Sequence, residues 1–173
     1  MSIAYFSPNS TSAQTLLSHY YQQSKSAFIN PKILALLKEK KRIAHLSDTT
    51  ALLAQELYAL EQLRKKMCKA SLSSSEAYLN LYDRLFRHIS LTLLRDNYNL
   101  TTEQPHQSLR LVVGQYADNQ SIKAMIQHRH SLKKRKHNLF SEISFKTLAL
   151  ILSHYDIHDS QACDIVIIDA NSI

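Results

Sequence analysis

Eleven consecutive residues, HRHSLKKRKHN from His128 to Asn138, concentrate most of the chemistry this chain offers. They hold Arg129, Lys133, Lys134, Arg135 and Lys136, three histidines (His128, His130, His137) and no acid. Unpaired charges are costly to bury, so such a run either meets a polyanion or sits in water. Arg129, Lys133, Lys134, Arg135 and Lys136 are therefore the candidate nucleic-acid contacts. On a helix His128 and His130 point apart, which disfavours them as joint ligands of one ion.

Other chemistry-bearing spacings are weaker. His154 and His158 stand four apart, a spacing that can bind zinc from one helix face. No glutamate follows His154 and no third ligand is evident, so a polar helix end is the simpler reading and no metal site is expected. A single glycine, Gly114, excludes a glycine-rich phosphate loop and a Gly-x-Ser-x-Gly nucleophile turn. Cys68 and Cys163 match no metal or redox spacing. No cofactor is expected.

The elements that must position these residues read as helices. Only one glycine and three prolines (Pro8, Pro31, Pro105) leave few tight turns for a sheet-rich fold. The expectation is an all-α, up-and-down bundle of about seven helices. Asn9 or Ser10 caps a first helix to Phe28, and Asn30-Pro31 breaks it. Pro31 opens a second helix to about His45, whose KEKKR run, Lys38 to Arg42, reads as a solvated face. Ser47 or Asp48 caps a third, with Leu53, Leu57, Leu60, Leu63 and Met67 on one face.

Ser73 or Ser74 with Glu76 opens a fourth helix to about Asp96. It carries Tyr78, Tyr82, Leu85, Ile89 and Leu93 at helical spacing and is expected to be central. The tyrosines at such positions read as packing residues rather than base-stacking platforms. Asp96 to Pro105 reads as a polar loop. Helices follow over about His106–Ala117, from a cap at Asn119 into the basic run, and over about Ser144–His158. Asp164 to Asp169, DIVIID, reads as strand-like because four Ile/Val are consecutive, with nothing of its own to pair with.

The charge is asymmetric. All 21 Lys/Arg lie in residues 1–146, while residues 147–173 carry four acids and no Lys/Arg. A basic body with an acidic end suits a nucleic acid, an acidic protein or an internal latch as partner. The longest apolar run, Leu148–Leu152, is far short of the ~20 residues of a membrane helix. The first residues, MSIAYFSPNS, lack the features of a signal peptide, so a cytoplasmic protein without a membrane partner is expected.

One stretch carries a family resemblance. Ser75 to Val113, SEAYLNLYDRLFRHISLTLLRDNYNLTTEQPHQSLRLVV, resembles the core of HEPN domains, the helical nucleotide-binding domains of higher eukaryotes and prokaryotes. The matching positions are Ala77, Tyr78, Tyr82, Phe86, His88, Leu93, Leu94, Tyr98, His106 and Leu109. The resemblance implies a HEPN-like core over residues 48–158, an added helical hairpin over 1–47 packed on it, and an acidic and apolar tail over 159–173.

Many HEPN domains are dimeric, metal-independent RNases with an Arg-x(4–6)-His motif. The arginine holds phosphate and developing charge, and the histidine moves a proton near neutral pH. No Arg–His pair here has that spacing. Arg84 and His88 have three residues between them, and Arg129 and His137 have seven. Arg129 and His137 are the catalytic candidates by position, but on one continuous helix their Cα atoms would stand ~12 Å apart along the axis and ~80° apart around it. The expected function is thus a non-catalytic or atypical HEPN-like protein that binds RNA or another polyanion. The alternatives are a protein-interaction module with a protein partner or a homodimer, and a toxin-type, metal-independent endoribonuclease.

Overall fold

The computed structural model describes residues 29–69, 71–134 and 140–171, with Thr15 and Ser18. The expected first helix lies outside the described residues except for those two. Among the described residues the chain is an all-α bundle of seven helices with one two-stranded ribbon.

The first described helix, α1 (Pro31–Glu39), starts as expected. Pro31 occupies its first turn and the Asn30 side chain accepts a hydrogen bond from the Lys32 backbone N–H. It ends earlier than the expected His45. Continuation would bring Lys40 and Lys41 onto the stripe of Ile33 and Leu37, three and four residues on, where the core lies. Instead Lys41 turns with φ 53°, and Ile43–His45 forms strand β1. Its antiparallel partner is β2 (Tyr98–Leu100), with Ile43 opposite Leu100 and His45 opposite Tyr98. The expected polar loop therefore contains a strand. Asn97 enters it at φ 64°, a conformation that asparagine tolerates better than most residues.

Helix α2 (Thr50–Lys69) begins where Asp48 accepts a hydrogen bond from the Thr50 N–H. Its Leu53, Leu57 and Leu60 pack with Leu91 and Leu94 of α3 (Ser74–Arg95). The expected capping box of α3 is present, with Ser73 and Glu76 each serving the other's backbone N–H. As its periodicity predicts, α3 is central: Tyr78, Tyr82, Leu85 and Ile89 are all fully buried. Burying each such side chain contributes roughly 1.5–3 kcal/mol.

Helix α4 (Pro105–Val113) is shorter than expected, and α5 (Asn119–Lys133) is capped by Asp118 rather than by Asn119. The next helix, α6 (Glu142–Leu152), starts at a Ser141 cap, and a turn then separates it from α7 (Ile157–Asn171). The strand-like reading of Asp164–Asp169 is corrected: these residues are helical. On a helix, Asp159, Cys163 and Ile167 fall at four-residue spacing, and all three are buried. The Ser160 hydroxyl donates to the Ala149 carbonyl and ties α7 to α6. Ile29, Leu37 and Ile43 share the main core with α3, as do Cys163 and Ile167.

Candidate nucleic-acid interface

Arg129 lies on α5 one turn before its basic end, facing α3 and the start of α4. Its guanidinium carbon sits 5.0 Å from the centre of the Tyr82 ring, a cation–π distance. Its Nη1 lies 3.3 Å from His106 Nε2, and its Nη2 lies 3.7 Å from Asp83 Oδ1. His106 is the second residue of α4, placed there by Pro105 in the first turn. Its Nδ1 is 3.1 Å from the Tyr82 hydroxyl. An arginine can only donate, so His106 Nε2 accepts and its proton sits on Nδ1, donating to Tyr82.

Burial, Arg129 and then His130 push His106 down to about 4, so it is neutral at pH 7. The exposed His130 completes the corner, its ring edge-on to His106 with centroids 4.7 Å apart. Phe86 meets His106 edge-on from α3 at 5.7 Å.

The basic run divides within this frame. His128 turns the other way, its ring 4.5 Å from the buried Tyr78, consistent with the expectation that it and His130 diverge. Lys133 and Lys134 are exposed at the end of α5, and Lys133 is four residues from Arg129 on the same helix face. Arg135, Lys136 and His137 lie outside the described residues. Arg129 is not a free cation on a solvated run. It is largely buried and already paired with His106 and Asp83, and His106 is the histidine beside it. His106 was visible among the positions that carry the family resemblance, but its distance from Arg129 in sequence concealed the pairing.

A second polar cluster had only a partial sequence signal: Arg84 and His88 stand four apart, but Arg64 and Asp159 lie far from them in the chain. Asp159 on α7 receives hydrogen bonds from Arg64 on α2 (3.1 and 3.0 Å), from Arg84 on α3 (2.8 Å) and lies 2.8 Å from His88 Nε2. Arg64 also reaches Asp156 at 2.7 Å, and Arg84 takes the Asn80 side-chain oxygen at 2.8 Å. Burial alone would raise the Asp159 carboxyl, but the His88 and Arg64 hydrogen bonds and charges hold it well below the usual carboxylate range. His88, Asp156 and Asp159 bring ligand atoms within 4.8 Å of one another. A divalent ion there would compete with two guanidinium groups for the same carboxylate, so the donor set suits an ion-pair lock better than a metal.

The His154–His158 spacing does not survive folding as a helix-face pair. His154 lies in the turn after α6, stacked on Tyr116 at 4.1 Å, and His158 lies on α7. No helix among the described residues is long and apolar enough to cross a membrane.

Comparison with protein-family models, curated proteins and solved structures finds no match.

Proposed function

We propose that this protein is a non-catalytic, HEPN-like helical protein that binds RNA through the corner formed by α3, α4 and α5. The observation that carries the reading is the convergence of Arg129, His106 and His130 beside Tyr82 and Phe86, with Lys133 and Lys134 continuing along α5. Tyr82, Phe86 and His106 are also among the residues on which the family resemblance rests. In this reading Lys133 and Lys134 supply exposed charge for phosphates, and Arg129 positions the histidines.

At His106 the geometry favours binding over cleavage. Proton transfer to a phosphate ester needs a ring nitrogen that is free to face it. Both nitrogens of His106 are engaged, by Arg129 and by Tyr82. The test is fluorescence anisotropy of a single-stranded RNA at several salt concentrations. Wild type is expected to bind with a clear salt dependence. Lys133→Gln/Lys134→Gln is expected to weaken binding and flatten the log–log slope by ~1.4, about 0.7 per lost phosphate contact. An unchanged slope contradicts the reading, and RNA turnover that Arg129→Ala and His106→Ala both abolish contradicts its non-catalytic part.

A second reading, a protein-interaction module, is favoured by exposed apolar side chains on the last two helices. Ile143 and Leu150 on α6 and Ile157, Ile165 and Ile168 on α7 are all exposed large apolar residues. Within each helix, Ile143 with Leu150 and Ile165 with Ile168 have the seven- and three-residue spacing of one helix face, and exposed apolar surface of this kind can mark an association site. Sedimentation of the purified chain across concentrations tests it, with self-association that Ile165→Asp/Ile168→Asp removes as the expected sign.

A further inference from the structure

A cleft of about 860 Å³ opens between α1, α4 and the start of α5. Its polar wall is Lys40, Arg42, Arg110, Gln107, Gln115 and Asn119, and its lining includes no carboxylate. Ile33 and Leu111 provide the apolar part. We propose that this cleft binds a phosphomonoester carried on a body about the size of a mononucleotide.

The two arginines are held by neutral partners. Arg42 Nη2 donates to the side-chain oxygens of Gln104 at 2.8 Å and Gln107 at 3.2 Å, and Nη1 donates to the Glu103 carbonyl at 3.4 Å. Arg110 Nε donates to the Asn119 side-chain oxygen at 2.6 Å. Every one of these acceptors is neutral. The guanidinium groups are fixed in place while their charge is not cancelled. Among the described residues no carboxylate oxygen lies within 4.0 Å of either. By contrast Arg64, Arg84, Arg87 and Arg129 each have a carboxylate partner.

The amides sharpen the preference. Gln107 and Asn119 give their oxygens to the arginines, which leaves their NH2 groups as donors. The cleft thus offers two arginines, a lysine and amide donors, a set suited to phosphate oxygens. Asp118, next to Asn119, is committed elsewhere: its carboxylate accepts from the Gln120 and Ser121 N–H groups and the Ser121 hydroxyl, capping α5. The volume lies within the range of ~300–1,000 Å³ usual for small-molecule sites and is much larger than a bare phosphate needs. A phosphate at the basic wall leaves room for a sugar and base against Ile33 and Leu111.

The same chemistry occurs in a free nucleotide and at the end of an RNA strand. Calorimetric titration separates them, using adenosine monophosphate, adenosine, and a short oligoribonucleotide with either a 5′-phosphate or a 5′-hydroxyl. Binding of the monophosphate, with at least tenfold weaker binding of adenosine, assigns the cleft to a free nucleotide. Preference for the 5′-phosphorylated strand over its 5′-hydroxyl counterpart, without monophosphate binding, assigns it to a strand end. In either case Arg110→Gln, an exposed position, weakens the phosphate-dependent binding at least tenfold, and Arg42→Lys weakens it while retaining the charge. The Lys133→Gln/Lys134→Gln variant binds adenosine monophosphate as wild type does and weakens both strands alike, leaving the ratio between the 5′-phosphate and 5′-hydroxyl strands unchanged, which separates this site from the α5 corner. No phosphate-dependent binding by wild type, or equal binding by Arg110→Gln, overturns the proposal.

Discussion

Four of the described arginines form two contrasting pairs. On the α2–α7 side, Arg64 and Arg84 are locked onto Asp159, whose side chain is 2% exposed. On the α1–α4 side, Arg42 and Arg110 are held by neutral amides at the rim of an open cleft. The residue type is the same and the consequence is opposite. A guanidinium paired with a buried carboxylate is part of the fold, and removing its partner leaves a costly buried charge. A guanidinium held by amides is oriented but still charged, so it retains attraction for an anion. Arg129 stands between the groups: it contacts Asp83 at 3.7 Å but stacks on Tyr82 and orders two histidines.

The largest effect that should follow is at the lock. Asp159→Ala is expected to destabilise the protein by ~3–5 kcal/mol in urea unfolding, because Arg84 remains buried without its partner. A cost under about 1 kcal/mol would erase the distinction between the two groups. Acid gives a second view of the same residue. The Asp159 carboxyl is held below its ordinary value, so its stabilisation is present above about pH 4 and is lost as pH falls below that. Asp159→Asn should lack this acid-sensitive component in thermal unfolding scans between pH 5 and 2.

His106, beside Arg129, responds at intermediate pH. Its folded value is depressed to about 4 from an ordinary 6.5, so the unfolded chain binds the proton more readily. Stability is therefore fully present above pH 6.5 and falls as pH drops towards 4. His106→Gln should show a smaller fall in melting temperature between pH 7 and pH 5 than wild type. Arg129→Ala should move the His106 titration upward, since Arg129 is one cause of its depression. A His106 titration unmoved by that substitution, followed by NMR, would separate the two residues.

The smallest stability effect is expected at the cleft. Arg42→Gln/Arg110→Gln should cost under about 1 kcal/mol, because neither side chain leaves a buried charge behind.

How far the sequence reveals this division depends on whether the deciding contacts are local. The α3 stripe and its Ser73–Glu76 box were legible, because spacing and capping act within a turn or two of helix. The β1–β2 ribbon was not. It joins residues more than fifty apart, and its local cue is only the turn at Lys41, inside a run of cations that read as a solvated face. Arg42, in that run, is instead tied to α4. The four consecutive Ile/Val of α7 read locally as a strand. Long-range packing of Asp159, Cys163 and Ile167 overrides that preference. At the candidate interface, Arg129 was legible from the basic run, but its partner was not. The sequence spacing directed attention to His137, while folding delivers His106 from another helix.

The contrast between the two pairs implies that anions meet Arg42, Arg110 and the exposed end of α5, never the arginines locked on Asp159. Arginine side-chain Nε–Hε groups followed by NMR, in separate titrations with adenosine monophosphate and with single-stranded RNA carrying a 5′-phosphate, test this. Shifts are expected at Arg42 and Arg110 with one of the two ligands, at Arg129 with the RNA, and at neither Arg64 nor Arg84 with either. Shifts confined to Arg64 and Arg84, or no arginine shift when the RNA binds, would contradict this expectation.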